Sequence, residues 1–222
     1  LMADSRVTES ISPSPFDYQK NCLLYLPPEP PVGSGSHYYG QLAQMAAALL
    51  GAAHGHALAL FTSYAAMAAV KELLRRGGTA YPVFTLGRSA VHTIEQFKSR
   101  PGSVLLASGP AWEGMDFPGD CVSLLIIPKL PFPIPDPWKE RERENYPTLR
   151  QFIRAVVVPE MQVKLKQGFG RAIRTETDTC VVAVLDERAA KGRRYHRDML
   201  AALPDLPVTD SLTEVERFIR RV

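Results

Sequence analysis

The sequence predicts an α/β domain: a mostly parallel sheet with helices on both faces. Three observations lead there. Short, nearly continuous apolar runs such as "CVSLLIIP" (121–128) and "DTCVVAVLD" (178–186) have the composition of strands buried on both sides. These runs alternate with longer segments of helical spacing, such as "YAAMAAVKELLRRGG" (64–78). The 222 residues, 45% of them hydrophobic, suffice to bury a core around one such sheet.

The elements follow in order. Residues 1–20 are polar and contain Ser and Pro, which reads as an N-terminal arm, and 21–222 as the domain. "NCLLYLP" (21–27) is a strand and "PPEPPVGSGS" (27–36) a flexible loop. "HYYGQLAQMAAALLGAA" (37–53) is a helix and "HALALFTS" (56–63) a buried strand. The helix over 64–78 ends in a basic turn followed by glycines, a stop signal that also suits the helix dipole. A strand over 81–86, a helix over 89–99 and strands over 102–108 and 121–128 come next. Residues 148–174 are helical on either side of Pro159, a strand covers 178–186, and an amphipathic helix closes the chain over 212–222.

One segment breaks the rhythm. "PKLPFPIPDPWKERERENYP" (128–147) places Pro128, Pro131, Pro133, Pro135 and Pro137 in its first ten residues, then alternates charge. It reads either as a stiff surface crossover into a solvated helix or as a functional loop after a strand.

A net charge of +3 permits an anionic partner without requiring one. No apolar run approaches the roughly 20 residues of a membrane span. Cys22, Cys121 and Cys180 lie far apart in apolar settings, which reads as reduced core residues of a cytoplasmic protein. The opening "LMADS" reads as the start of a fragment.

Three stretches carry candidate chemistry. In "KLKQGFGRAIRTE" (164–176), an α-helix of about 3.6 residues per turn would put Gln167, Arg171 and Arg174 within roughly a 60° arc. Met161, Leu165, Phe169 and Ala172 would face the sheet. Gly168 and Gly170 each weaken a helix by about 1 kcal/mol relative to alanine, so close approach of another backbone or a ligand is expected there. Two guanidiniums one turn apart suit an anion with several oxygens; the competing reading is a solvated basic face. "SGPAWEGMDFPGD" (108–120) follows a strand directly, where sites of parallel sheets form, and holds Glu113, Gly114 and Asp116; the competing reading is a turn whose carboxylates only cap. In "LFTSY" (60–64), hydroxyl residues precede a helix, where they either cap it or help bind phosphate. "VVAVLDE" (181–187) has the look of a magnesium-site strand, yet the chain contains no G-x-x-x-x-G-K-[ST] phosphate loop. His54 and His56 flank Gly55 as a turn rather than a metal site.

"LFTSY", "SGPAWEGMDFPGD" and "LKQGFGRAIR" fall in the order of motifs IV, V and VI of the DinG/XPD branch of superfamily 2 helicases, which the chain resembles. The resemblance extends to "SPFDYQKNCLLYLP" (14–27), "LLIIPKLPFPIPDP" (124–137) and "VAVLDERA" (183–189), with the bacterial DinG-type group the nearer fit. It implies the second RecA-like domain, a three-layer domain lacking its own phosphate loop, of a bacterial, nucleoid-associated enzyme. The first RecA-like domain would supply the phosphate loop, the Mg²⁺ site and an iron–sulfur cluster, and ATP would sit between the two. By resemblance, Arg171 and Arg174, with Gln167 beside them, meet the γ-phosphate. Glu113, Gly114 and Asp116 line the nucleotide cleft. Thr62, Ser63, Tyr64, Lys129 and Phe132 contact single-stranded DNA. Two other readings stay open: a non-catalytic nucleic-acid-binding or interaction module that kept the helicase fold, and an unrelated α/β enzyme using Glu113 and Asp116 as an acid–base pair.

Overall fold

The computed structural model describes residues 14–87, 90–112, 122–173 and 175–221. Strands β1 (Cys22–Tyr25), β2 (Ala57–Phe61), β3 (Val83–Thr85), β4 (Val104–Ser108), β5 (Leu124–Ile127), β6 (Cys180–Val184) and β7 (Val208–Thr209) form one sheet, ordered β3-β4-β2-β5-β6-β1-β7. Every pairing is parallel. The carboxyl ends of all seven strands therefore share one edge, and that edge gathers the loops that matter.

The helices are α1 (Tyr18–Asn21), α2 (Gly35–Ala52), α3 (Tyr64–Arg76), α4 (Ala90–Ser99), α5 (Pro137–Arg143), α6 (Leu149–Phe152), α7 (Val158–Phe169), α8 (His196–Leu200) and α9 (Leu212–Arg220). Side chains alternate across each strand, so β2 sends Leu58 and Leu60 to one face and Ala57, Ala59 and Phe61 to the other. Phe97 of α4, Met161, Leu165 and Phe169 of α7 and Met199 of α8 cover the first face. Leu42, Ala46 and Leu49 of α2, Met67 and Val70 of α3 and Val215 of α9 cover the second. Burial on both sides is why the strands read as unbroken apolar runs.

Three expectations need correction. The polar arm does not extend to residue 20: α1 forms there, capped by Asp17, and Phe16 and Tyr18 pack against the core. The loop over 27–36 ends early, because α2 begins at Gly35 with Ser34 as its N-cap residue. The chain is helical on either side of Pro159, as expected, with α6 passing through a π-helical turn, Ile153–Val157, before α7 begins. There the N–H of Val158 bonds the carbonyl of Ile153, five residues back, one residue before Pro159, which has no N–H to offer. And α7 stops at Phe169, with Gly170 as its C-cap residue, rather than running on to 174.

The turn at His54–His56 is confirmed as a turn: all three residues have positive φ, and His56 Nε2 accepts the Gly102 N–H at 3.0 Å. Asp186, the acidic residue after β6, is also structural. It is buried, accepts the Leu130 N–H at 2.8 Å and pairs with Arg188, so it fixes the start of the Pro-rich segment to the end of β6.

Candidate functional site

Helix α7 approaches the sheet with Met161, Leu165 and Phe169 inward and Gln167 exposed. Because the helix ends at Phe169, Arg171 does not continue its surface. It stands in a tight turn, its N–H bonded to Gly168 O at 3.1 Å, followed by Ala172 N–H to Phe169 O at 2.8 Å. The arc argued from an ideal helix therefore does not describe the geometry; Arg174 lies outside the described residues. Arg171 is half-buried, and burial draws its guanidinium below the ordinary arginine value. A partly desolvated cation interacts with a phosphate more strongly than a solvated one.

The first of the two glycines has a clear purpose, and it is neither backbone nor ligand. A Cβ built on Gly168 would fall 2.7 Å from Cζ3 and 2.8 Å from Cε3 of Trp112. The bare Cα lets the benzo edge of the indole approach the last turn of α7. Gly170 has no such neighbour, nothing approaching a built Cβ closer than 3.4 Å; it ends the helix.

Trp112 closes a short 3-10 turn, Gly109–Trp112, that follows β4 directly. It is 1% exposed, and its Nε1 donates to Phe61 O at 2.8 Å, the last residue of β2. On the other side of this turn, a Cβ on Gly109 (φ 64°) would fall 2.6 Å from Tyr64 Oη. The turn after β4 is thus wedged between the first residue of α3 and the last turn of α7. Glu113, Gly114 and Asp116 continue from Trp112 and lie outside the described residues.

Along the same edge, Thr62 and Ser63 are exposed between β2 and α3, and Ser63 Oγ accepts the Ala66 N–H, so the capping reading holds. Together with Lys129, Ser34, Tyr38 and Tyr39 they surround a hollow of about 110 Å³. Lys129 Nζ donates to Gly33 O at 3.0 Å and sits 4.4 Å from the centre of the Tyr38 ring. This places one ammonium beside the starts of two helices, α2 and α3. Tyr64, the next residue after Ser63, is 60% exposed, with its hydroxyl against Gly109.

Phe132 is separate from that group. Its ring packs 4.7 Å from Tyr195 and under the Arg188 guanidinium at 4.6 Å, and Arg188 in turn chelates Asp186. Arg188, Gly109 and Trp112 were not singled out by sequence reasoning. Trp112 had only its aromatic character as a signal, and no spacing announces that an indole and a glycine 56 residues apart will meet.

Cys22 and Cys180 are free, buried and in register on β1 and β6. Burial pushes the Cys22 thiol up to about 12 and raises that of Cys180 well above its ordinary value. Cys121 lies outside the described residues. Among the described residues, no group of three or more His, Cys, Asp or Glu side chains is placed to hold a metal ion.

A sequence profile of the helicase C-terminal domain matches residues 46–206. The chain is 35% identical over 210 residues to the ATP-dependent DNA helicase YoaA of Escherichia coli, covering 93% of this chain and 33% of that protein. It is 36% identical over 216 residues to the ATP-dependent helicase DinG of Mycobacterium tuberculosis, covering 94% and 32%. Among solved structures, an XPD helicase superposes with a TM-score of 0.62 at 22% identity, over 85% of this chain and 35% of that one. The C-terminal domain of the DEAD-box protein Dbp5 superposes with a TM-score of 0.55 at 15% identity, over 93% and 99%. The expected RecA-like architecture is therefore present. The chain spans about a third of the length of the curated relatives it matches.

Proposed function

This chain belongs to the helicase C-terminal domain family, and on that premise we propose that it is the second RecA-like half of an ATP-dependent DNA helicase. In this reading it completes an ATP site built on a first RecA-like domain and grips single-stranded DNA along the carboxyl edge of its sheet. One observation carries the proposal: the turn bearing Arg171, the turn after β4 and the exposed Thr62–Tyr64 step form one continuous packed patch through Trp112. An ATPase that moves on DNA needs such adjacency between a phosphate-facing cation and a nucleic-acid edge.

Arg171 takes the role of arginine finger, with Arg174 as its expected companion and Gln167 nearby. A guanidinium delivered to the transferred phosphoryl group stabilises the charge that develops there, an effect worth roughly 10³–10⁵ in rate. Partial burial suits Arg171 to this, since the residue needs little further desolvation on cleft closure. Glu113, Gly114 and Asp116 are assigned to the nucleotide cleft. Mg²⁺, which would screen the phosphates, is assigned to the first domain together with the phosphate loop. Cys22 and Cys180, both buried, fall short of the four thiolates an iron–sulfur cluster takes, and any such cluster is assigned to the first domain.

On the nucleic-acid side, Ser63 and Thr62 with Lys129 offer hydroxyls and a cation to a phosphate at the hollow, and Tyr64 offers an exposed ring to a base. Phe132 stiffens the adjoining loop through Tyr195 and Arg188, and we assign it to the border of the same path. No helix among the described residues is long and apolar enough to cross a membrane, and the proposed setting is the bacterial cytoplasm, at the nucleoid.

The test is reconstitution by parts. The isolated chain with Mg²⁺ and ATP is expected to show no turnover, with or without a single-stranded oligonucleotide, while the whole protein hydrolyses ATP and is stimulated by the oligonucleotide. Robust hydrolysis by the isolated chain would contradict the half-site reading.

A further inference from the structure

We propose that Trp112 is a positioning residue for Arg171, acting through its contact with Gly168. The proposal rests on the reading of Arg171 given above. The indole is fixed from two sides: its Nε1–H is bonded to Phe61 O at 2.8 Å, and it is 1% exposed within the core. Its benzo edge then sets where the last turn of α7 can lie, since Cε3 and Cζ3 occupy the space beside the Gly168 Cα, with Leu60 Cδ1 as the next neighbour at 3.3 Å from a built Cβ. Arg171 hangs from that same turn by its N–H bond to Gly168 O. The position of the guanidinium is therefore referenced to the end of β2, and hence to Thr62 and Ser63, through a rigid aromatic plate.

The consequence is specific. A change in the Trp112–Gly168 contact should move Arg171 by fractions of an ångström without removing it. Misplacement of that size lowers turnover far more than it lowers ground-state binding of ATP, because the finger acts on charge that develops in the transition state.

The experiment uses the full-length protein and compares Trp112→Phe, Gly168→Ala and the double variant, with Trp138→Phe as a control whose indole is 80% exposed. ATP hydrolysis is measured against ATP concentration at saturating oligo(dT), at a temperature well below each variant's melting transition. Each single variant is expected to lose roughly 10- to 100-fold in kcat with KM for ATP changed less than about threefold. The double variant is expected to recover part of the loss, because the smaller ring of Trp112→Phe vacates the space that the methyl at position 168 needs. The control should match wild type. If both single variants hold kcat within about twofold of wild type while Arg171→Ala is inactive, the positioning role is wrong and the finger stands. Losses that multiply in the double variant, or that consist only of a lower melting temperature, also overturn it. If Arg171→Ala itself retains turnover, the function proposed above falls instead.

Discussion

The indole of Trp112 lies so close to Gly168 that a Cβ there would sit 2.7 Å from Cζ3. Two effects oppose each other in Gly168→Ala. Alanine favours the helix by about 1 kcal/mol, whereas forcing a methyl against a buried, hydrogen-bonded ring costs about 1–3 kcal/mol. Trp112 has little freedom to yield, so the steric term is expected to win. Urea denaturation should show Gly168→Ala destabilised by up to about 2 kcal/mol, while Gly170→Ala, with no atom nearer than 3.4 Å to the built Cβ, should be close to neutral.

Asp186 is the second anchor. Its side chain is 2% exposed, accepts the buried Leu130 N–H and is chelated by Arg188, which is 40% exposed. Removing the carboxylate leaves a buried donor and a half-solvated cation without their acceptor. Asp186→Ala is expected to cost about 2–3 kcal/mol, below the value for a fully buried pair because water reaches Arg188. Arg188→Ala should also loosen Phe132. Proteolysis of the 128–136 segment is the sensitive readout: it should accelerate in both variants.

Tyr64 tests the nucleic-acid edge. The ring is 60% exposed at the start of α3, and stacking of a base on an aromatic ring contributes about 1–3 kcal/mol. In the full-length protein, Tyr64→Ala should weaken oligo(dT) binding roughly 5- to 160-fold by fluorescence anisotropy. ATP binding in the absence of DNA should be unaffected.

The buried thiols give a pH signature. Cys22 is raised by burial from 9.0 to about 12 in the folded chain, so the unfolded chain gives up its proton first as pH rises. A raised folded value means that the contribution is intact below pH 9 and declines between about 9 and 12. Stability by urea denaturation should therefore fall across the start of that window. Cys22→Ala should fall less steeply, and a thiol reagent at pH 8 should leave Cys22 of the native protein unlabelled.

Sequence patterning located most of the architecture because the physics was local or repetitive. Strands such as β2 and β6, buried on both faces, advertise themselves by unbroken hydrophobicity, and α3 by its face and its Ser63 cap. β7 was missed because Val208 and Thr209 are too few to show a period. α7 ends earlier than its apolar spacing implies, because that spacing runs on past Phe169 while Gly168 and Gly170 weaken the helix there. The purpose of Gly168 was illegible for a different reason: it depends on Trp112, a partner supplied by the tertiary fold. The hollow beside Lys129 arises likewise from loops after different strands. Sequence order located Arg171, but only the fold connects it to Phe61.

The most direct measurement is DNA-stimulated ATP hydrolysis by full-length protein carrying Arg171→Ala, with oligo(dT) affinity determined in parallel. Turnover is expected to fall by about 10³-fold or more while oligonucleotide binding stays within about threefold of wild type. Near-normal hydrolysis by a folded Arg171→Ala protein would contradict the account.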